Sequence, residues 1–296
     1  MVAMAHEIYQ AVTDRILELL DQGVVPWRHP IRGGGRGGGG YPTNLESGRH
    51  YRGINVFLLA VTGWLQGYGS PYWLTFRQAK ARGGHVRKGE KGALVIFWKQ
   101  HATHDKETGE DITVPVLRRY TVFNAEQCEG IEVPGTDTPE EEAEPFVPIE
   151  AAAKIVEGYA GGPRIEHGGR QAFYRPSEDL VRIAEPERFV DREAYYATLF
   201  HELVHSTGHS SRLDRGLDTE PAPFGSPDYS KEELVGEMGA AFLAAAAGIG
   251  QQTVEQSAAY IQGWRKRLAG DEKLVVHAAG AGQKAADWIL EPHQIG

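Results

Sequence analysis

The chain of 296 residues contains a single cysteine, Cys128. That excludes an intrachain disulfide and any Cys-rich zinc finger, and it suits a reducing cytoplasm. Long apolar runs are also missing. None approaches the roughly 18–20 residues that a bilayer-spanning helix needs, so no membrane partner is expected. The N-terminus, MVAMAHEIYQAVTDR, lacks a charged-then-apolar leader, which argues against secretion. Acids are scarce in one stretch: residues 22–100 hold twelve Lys/Arg and only Glu46 and Glu90, a net charge of +10. The whole chain is at −9, so the remainder carries 19 basic and 38 acidic residues. The average argues against a nucleic-acid partner, yet it hides a basic block. Such asymmetry marks two modules with different partners.

What is present supports two folded modules. The length allows two domains, and 41% hydrophobic with 24% charged residues is the composition of a globular chain. Residues 131–150 carry seven acids, four prolines and no basic residue. Like charges and fixed φ angles extend such a segment, so 131–148 reads as a linker between a domain at 1–130 and another at 149–296. The glycine run Arg32–Gly40 reads as a mobile loop or a basic arm. Helix-period apolar residues occur at 3–20 and 53–65, and a short helix follows Thr75. β-rich runs occur at 93–99 and 118–124 with a polar turn between them. In the second half, helices are expected at 149–159, 192–207 and 231–247, with a hairpin at 171–174 and 180–183. The fold class is therefore α+β, in two domains.

In the basic block, cations alternate with aromatic residues. Arg49, Arg52, Arg77, Lys80, Arg87, Lys88 and Lys91 are interleaved with Tyr51, Tyr72, Trp73, Phe76 and Phe97. Cations follow phosphates and aromatic faces stack on unpaired bases, so the pattern fits single-stranded nucleic acid better than duplex readout. Phe57, Phe76 and Phe97 read as core residues, while Tyr72 and Trp73, beside Pro71, divide evenly between core and base platform. GGHVRKGEKG lacks the Gly-Lys-Ser/Thr ending of a phosphate-binding P-loop.

The second half carries H-E-x-x-H as His201-Glu202-Leu203-Val204-His205. The histidines are one turn apart on one helical face, so both can reach one ion. Tyr196, Phe200, Leu203, Val204 and Thr207 form a separate stripe for the core. Zinc acidifies water, and Glu202 beside the first histidine can accept the proton. Three options exist for the third ligand. His209 lies four residues beyond His205, but Gly208 ends the helix before it. Glu233 and Glu237 are four apart on the next helix. One would hold the metal and the other would orient a zinc-bound histidine; Glu233 as ligand and Glu237 as orienting acid is the preferred order. Tyr174, Tyr195, Tyr196, His209 and Arg212 are all candidates for stabilising an oxyanion.

Longer strings narrow this reading. NLESGRHYRGINVFLL, SPYWLTFRQAKARGGHVRKGEKG and RRYTVFNAEQCEGI, followed by YYATLFHELVHSTGHSSRLDR and EELVGEMGAAFL, resemble the ArdC antirestriction family over about residues 5–290. The resemblance implies a single-stranded-DNA-binding domain followed by a zincin-like metallopeptidase domain. It also implies a plasmid-borne protein that shields incoming DNA from host restriction during conjugation. The family's metal residues carry over onto His201, Glu202 and His205, and the third ligand onto Glu233. The first domain is also similar to a segment of plasmid primases. Two alternatives remain open: a DNA-binding protein with a purely structural metal, and a conjugation accessory protease acting on host proteins.

Overall fold

The computed structural model describes residues 2–29, 31, 40–104, 111–134, 148–219, 226–249 and 258–291. Most of the glycine run and the centre of the expected linker lie outside the described residues.

The chain opens with α1 (Val2–Asp21), which buries Ile8, Val12, Ile16, Leu19 and Leu20 at the expected three-to-four spacing. After β1 (Thr43–Asn44) comes α2 (Ile54–Gln66), buried from Ile54 to Val61 and exposed at Trp64 and Leu65. Then follow β2 (Tyr72–Leu74), α3 (Phe76–Ala81), β3 (His85–Val86), β4 (Ala93–His104), β5 (Asp111–Asn124) and β6 (Cys128–Glu129). Thr75 and Gln78 form a reciprocal capping box that starts α3. β4 and β5 pair antiparallel from Ala93↔Val122 to His104↔Asp111. They belong to a four-stranded sheet ordered β1-β2-β5-β4, beside a small β3-β6 pair. β4 lies at the edge, and Asn55 of α2 closes part of that edge. Its side chain donates to the Ile96 carbonyl (2.7 Å) and accepts from the Ile96 amide (2.8 Å).

The second half comprises α4 (Pro148–Gly158), β7 (Arg164–His167), β8 (Phe173–Arg175), β9 (Leu180–Ile183), α5 (Arg192–Ser206), α6 (Pro227–Ala247), α7 (Ala258–Gly270) and α8 (Leu274–Leu290). The expected hairpin is β8–β9, and β7 adds a parallel third strand on its other side. α6 packs between α5 and α8 at backbone range, which small residues permit. A Cβ on Gly239 would lie 2.7 Å from the Val204 methyls, and one on Gly282 would lie 2.8 Å from the Gly239 nitrogen.

The two domains share one apolar interior. Phe57 of α2 meets Phe242 of α6 with ring centroids 4.9 Å apart, and Trp27 meets Trp264 edge-on at 5.9 Å. Thr13 of α1 also donates to the Glu272 carbonyl at 2.8 Å.

Three aromatic expectations need correcting. Phe57 is buried as expected, but Phe76 and Phe97 are 55% and 43% exposed. Phe76 sits in a one-and-a-half-turn helix that buries only Ala79, and Phe97 lies two residues beyond the buried Val95, on the exposed part of the β4–β5 pair. Trp73, a candidate base platform, is 2% exposed and packs edge-on against Tyr68. Its face is not available to a base.

Candidate metal centre

α5 begins where Asp191 accepts a hydrogen bond from the Ala194 amide at 2.7 Å. Its stripe of Phe200, Leu203, Val204 and Thr207 is buried. That register turns His201 and His205 toward α6. The space for their rings comes from Gly236, where a Cβ would lie 2.7 Å from His201 Cε1 and 2.8 Å from His205 Nε2. The histidine side of α5 is therefore not a solvent face opposite the core but a second helix–helix seam.

The two Nε2 atoms are 2.9 Å apart. Glu233 of α6 stands across the seam, with one oxygen 3.7 Å from His201 Nε2 and the other 3.8 Å from His205 Nε2. Among the described residues, these three form the one cluster of metal-capable groups, with ligand atoms within 4.8 Å of one another. Four ligands held tetrahedrally at about 2.0–2.1 Å from zinc lie about 3.4 Å apart. The observed separations bracket that spacing. Glu202 follows His201 directly and is 8% exposed.

The acid that orients a histidine is Glu232, not Glu237. Glu232 Oε1 lies 3.0 Å from His205 Nδ1, and Arg215 donates to the same carboxylate at 2.6 and 3.0 Å. Arg215 is itself fixed by the Val204 carbonyl (2.9 Å) and the Thr207 hydroxyl (2.7 Å). A carboxylate paired with arginine stays ionised, so the proton shared with His205 sits on Nδ1. The Nε2 lone pair then faces the cluster, as a metal ligand requires. This proton arrangement, together with the spacing, fits a divalent ion.

Glu237 is engaged elsewhere. It accepts from Arg28 Nη2 at 2.9 Å, from Arg28 Nε at 3.3 Å and from the Tyr260 hydroxyl at 3.0 Å. It joins the N-terminal domain to α6 rather than supporting a ligand. The expected acid pair four residues apart was a property of one helix face; the partner across the seam decides which acid meets the histidine. The adjacent acids at 232 and 233 were the available signal. Nothing in the spacing pointed to Arg215.

Tyr229, one turn before Glu233, also hydrogen-bonds it. Burial opposes ionisation of Glu233, but the hydrogen bonds of His201 and Tyr229 and the histidine charges outweigh it, bringing its pKa down to about 2. His209 lies outside the cluster, between Ser211 (2.8 Å) and Asp218 (3.5 Å), because α5 ends at Ser206. Tyr174 donates to Asp179 at 2.9 Å, Tyr195 meets His167 at 2.9 Å, and Arg212 holds Asp179 and the Ser206 carbonyl. Tyr196 packs against Phe200. The polar groups of Tyr174, Tyr195, His209 and Arg212 are thus held in hydrogen bonds or ion pairs.

The expected DNA contacts fall on several elements. Arg49 precedes α2, Arg77 and Lys80 lie on α3, and Lys88 and Lys91 lie between β3 and β4. All five are exposed, and none forms an ion pair within the described residues. Arg52 pairs with Asp287 of α8, and Arg87 with Glu90 at 2.7 Å. Tyr72 is half-buried.

Comparison with known proteins accounts for both halves. Residues 6–123 match the N-terminal domain of anti-restriction factor ArdC, and residues 150–281 match a zincin-like metallopeptidase. The crystal structure of antirestriction protein ArdC from the R388 plasmid, in its metal-free form, is 38% identical with a TM-score of 0.75. The match covers 96% of this chain and 97% of that one. The chain belongs to the ArdC antirestriction family. The Mn(II)-bound structure of the R388 protein matches at 35% identity and a TM-score of 0.73, with coverage of 96% and 97%. An uncharacterized Sinorhizobium fredii protein, y4eC, is 36% identical over 96% of this chain and 91% of its own length. The Escherichia coli DNA primase TraC is also 36% identical over 98% of this chain, but the match spans only 28% of that primase. Among the described residues, no helix is long and apolar enough to cross a membrane.

Proposed function

We propose that this ArdC-family chain protects incoming plasmid DNA from host restriction by binding single-stranded DNA through residues 1–130. Residues 149–296 then carry a metal-dependent peptidase centre. The observation that carries the peptidase reading is the His201–His205–Glu233 cluster with Glu202 beside it and Glu232 fixing the tautomer of His205. His201, His205 and Glu233 would hold the ion, zinc or another divalent metal; the R388 relative has been crystallised with Mn(II). Such an ion supplies Lewis acidity and an open position at which water and a peptide carbonyl can be polarised. Glu202 accepts the proton from the attacking water and returns it to the leaving amine. Glu232 and Arg215 hold His205 in one ring orientation, and Tyr229 steadies Glu233. The exposed cations at Arg49, Arg77, Lys80, Lys88 and Lys91 follow the phosphates.

Glu202→Gln tests the reading. The variant is expected to keep bound metal and single-stranded-DNA affinity while losing hydrolysis of casein or a peptide library. Conjugative transfer into a restricting host is the second readout. Full protection by Glu202→Gln would remove peptidase chemistry from antirestriction and leave the metal a structural role. Single-stranded-DNA affinity should also fall steeply with salt, and a flat salt dependence would contradict the phosphate contacts.

A further inference from the structure

The N-terminal sheet carries an aromatic surface that none of the expected contacts included. Phe97 of β4 and Tyr120 of β5 are 43% and 41% exposed. The register pairs Phe97 with Arg118 and Val95 with Tyr120, so both rings stand on one face as diagonal neighbours. Their centroids are 5.8 Å apart in an edge-to-face arrangement. Tyr51, which is buried, backs Phe97 at 5.9 Å and fixes its orientation.

The strand residues beside these rings include basic side chains. Arg118 lies directly across from Phe97, and Lys99 is two residues along β4 on the same face. Neither strand holds an acid between Ala93 and Lys99 or between Val116 and Asn124. Arg49, exposed and without an ion pair among the described residues, lies two residues before Tyr51. Toward the α2 end the same face closes: Ala93, Val95 and Val122 are buried. The rings therefore sit where the core stops, held from beneath and open above.

We propose that Phe97 and Tyr120 form a stacking platform on which unpaired bases of single-stranded DNA lie, with Lys99 and Arg49 facing the phosphates. The proposal rests on the reading of this domain as single-stranded-DNA-binding and names its surface. A flexible strand with bases splayed outward suits it: two preset π-faces are offered without hydrogen-bond readout, and the flanking cations match the backbone. The opposite face of the hairpin makes a different prediction. Trp98 is more exposed than either ring, at 53%, but it pairs with Leu117 on the other side of the sheet and leans on Tyr9.

The test measures binding of a fluorescein-labelled oligothymidylate by anisotropy in the full chain. Phe97→Leu and Tyr120→Leu keep apolar bulk over Tyr51 and remove the ring. Each is expected to weaken binding by about fivefold or more, the equivalent of one lost stack, with thermal melting unchanged. Trp98→Leu is expected to bind as wild type. A strand of abasic deoxyribose phosphates is expected to bind the wild type more weakly, and the double variant Phe97→Leu/Tyr120→Leu no longer to distinguish it from oligothymidylate. If the wild type fails to bind either strand, the functional reading itself fails. If the wild type binds and the two Leu variants match it, or Trp98→Leu loses as much as they do, the platform is refuted. Self-association of the wild type that Phe97→Leu abolishes, with DNA affinity intact, would assign the face to a second copy and also refute it.

Discussion

Gly236→Ala should separate metal affinity from stability. The added Cβ would stand 2.7 Å from His201 Cε1 and 2.8–2.9 Å from the His205 ring, against the 3.4 Å at which ordinary contact begins. Both imidazoles must therefore move by about 0.5–0.7 Å, or α6 must retreat from α5. Metal sites tolerate only about 0.2 Å in ligand distance. Rings displaced on that scale, with His205 also pulled from Glu232, should lower metal affinity by about 10–100-fold, or ~1.4–2.8 kcal/mol. Stability without metal should fall by no more than about 2 kcal/mol, the net of two opposing effects. Alanine gains up to about 1 kcal/mol over glycine within a helix, and overpacking offsets this by about 1–3 kcal/mol. The assay is calorimetric titration of Zn(II) or Mn(II) into metal-stripped protein, alongside thermal melting of the same samples. Gly282→Ala is the control, since its Cβ would meet the Gly239 nitrogen at 2.8 Å and the Val235 carbonyl at 3.1 Å, both backbone atoms far less able to yield. That variant should lose about 1–3 kcal/mol of stability and keep the affinity of the folded fraction. Wild-type affinity in Gly236→Ala would refute the claim that this glycine makes room for the ligands.

Glu232→Gln should weaken metal binding by about tenfold or more, because the amide can no longer hold the His205 Nδ1 proton by charge; titration showing equal affinity would return the orienting role to another group. Glu237→Gln should instead lower stability by about 1–3 kcal/mol, through the partly buried Arg28 it leaves behind, with metal affinity unchanged. Loss of metal in that variant would reverse the two assignments. A pH effect is expected at Asp179. Burial raises its pKa, but hydrogen bonds from Arg212 and Tyr174 outweigh this and bring it below the ordinary 3.8. The unfolded chain then binds more protons, so this stabilisation is complete above 3.8 and is lost as pH falls through the lowered folded value. Asp179→Asn should flatten the acid limb of a melting-temperature profile below about pH 4; parallel profiles would contradict it.

The parts of this molecule that depend on local pattern were legible in its residues. α1, α5 and the β4–β5 pair follow from periodicity, and Thr75 and Asp191 cap the helices they were expected to start. The two histidines and Glu233 follow from spacing on two helices. What failed was decided across a seam. Glu237 has the spacing of an orienting acid, yet Arg28 lies some 200 residues earlier in the chain and claims it. Glu232 takes its place because α6 crosses α5 at Gly236, and no single-helix pattern records a crossing. Phe97 is exposed and Trp73 buried for the same kind of reason. Which strand residue is covered depends on what packs over it, as α2 lies against Trp73 at Gly63, not on how apolar that residue is.

α6 links these facts. Glu232 and Glu233 face the histidines, Gly236 and Gly239 admit α5, and Glu237, one turn beyond Glu233, binds Arg28 of the other domain. The same helix buries Phe242 against Phe57. The position of Glu233, the proposed metal ligand, and the docking of the N-terminal domain are thus set by one helix. Five residues separate Glu232 from Glu237, about 7.5 Å of helical rise. Arg28 thus holds the helix that carries Glu233 through a contact separate from the acidic segment at 131–148. The excess of negative charge in the C-terminal half and the positive block before it therefore belong to surfaces joined by a packed interior.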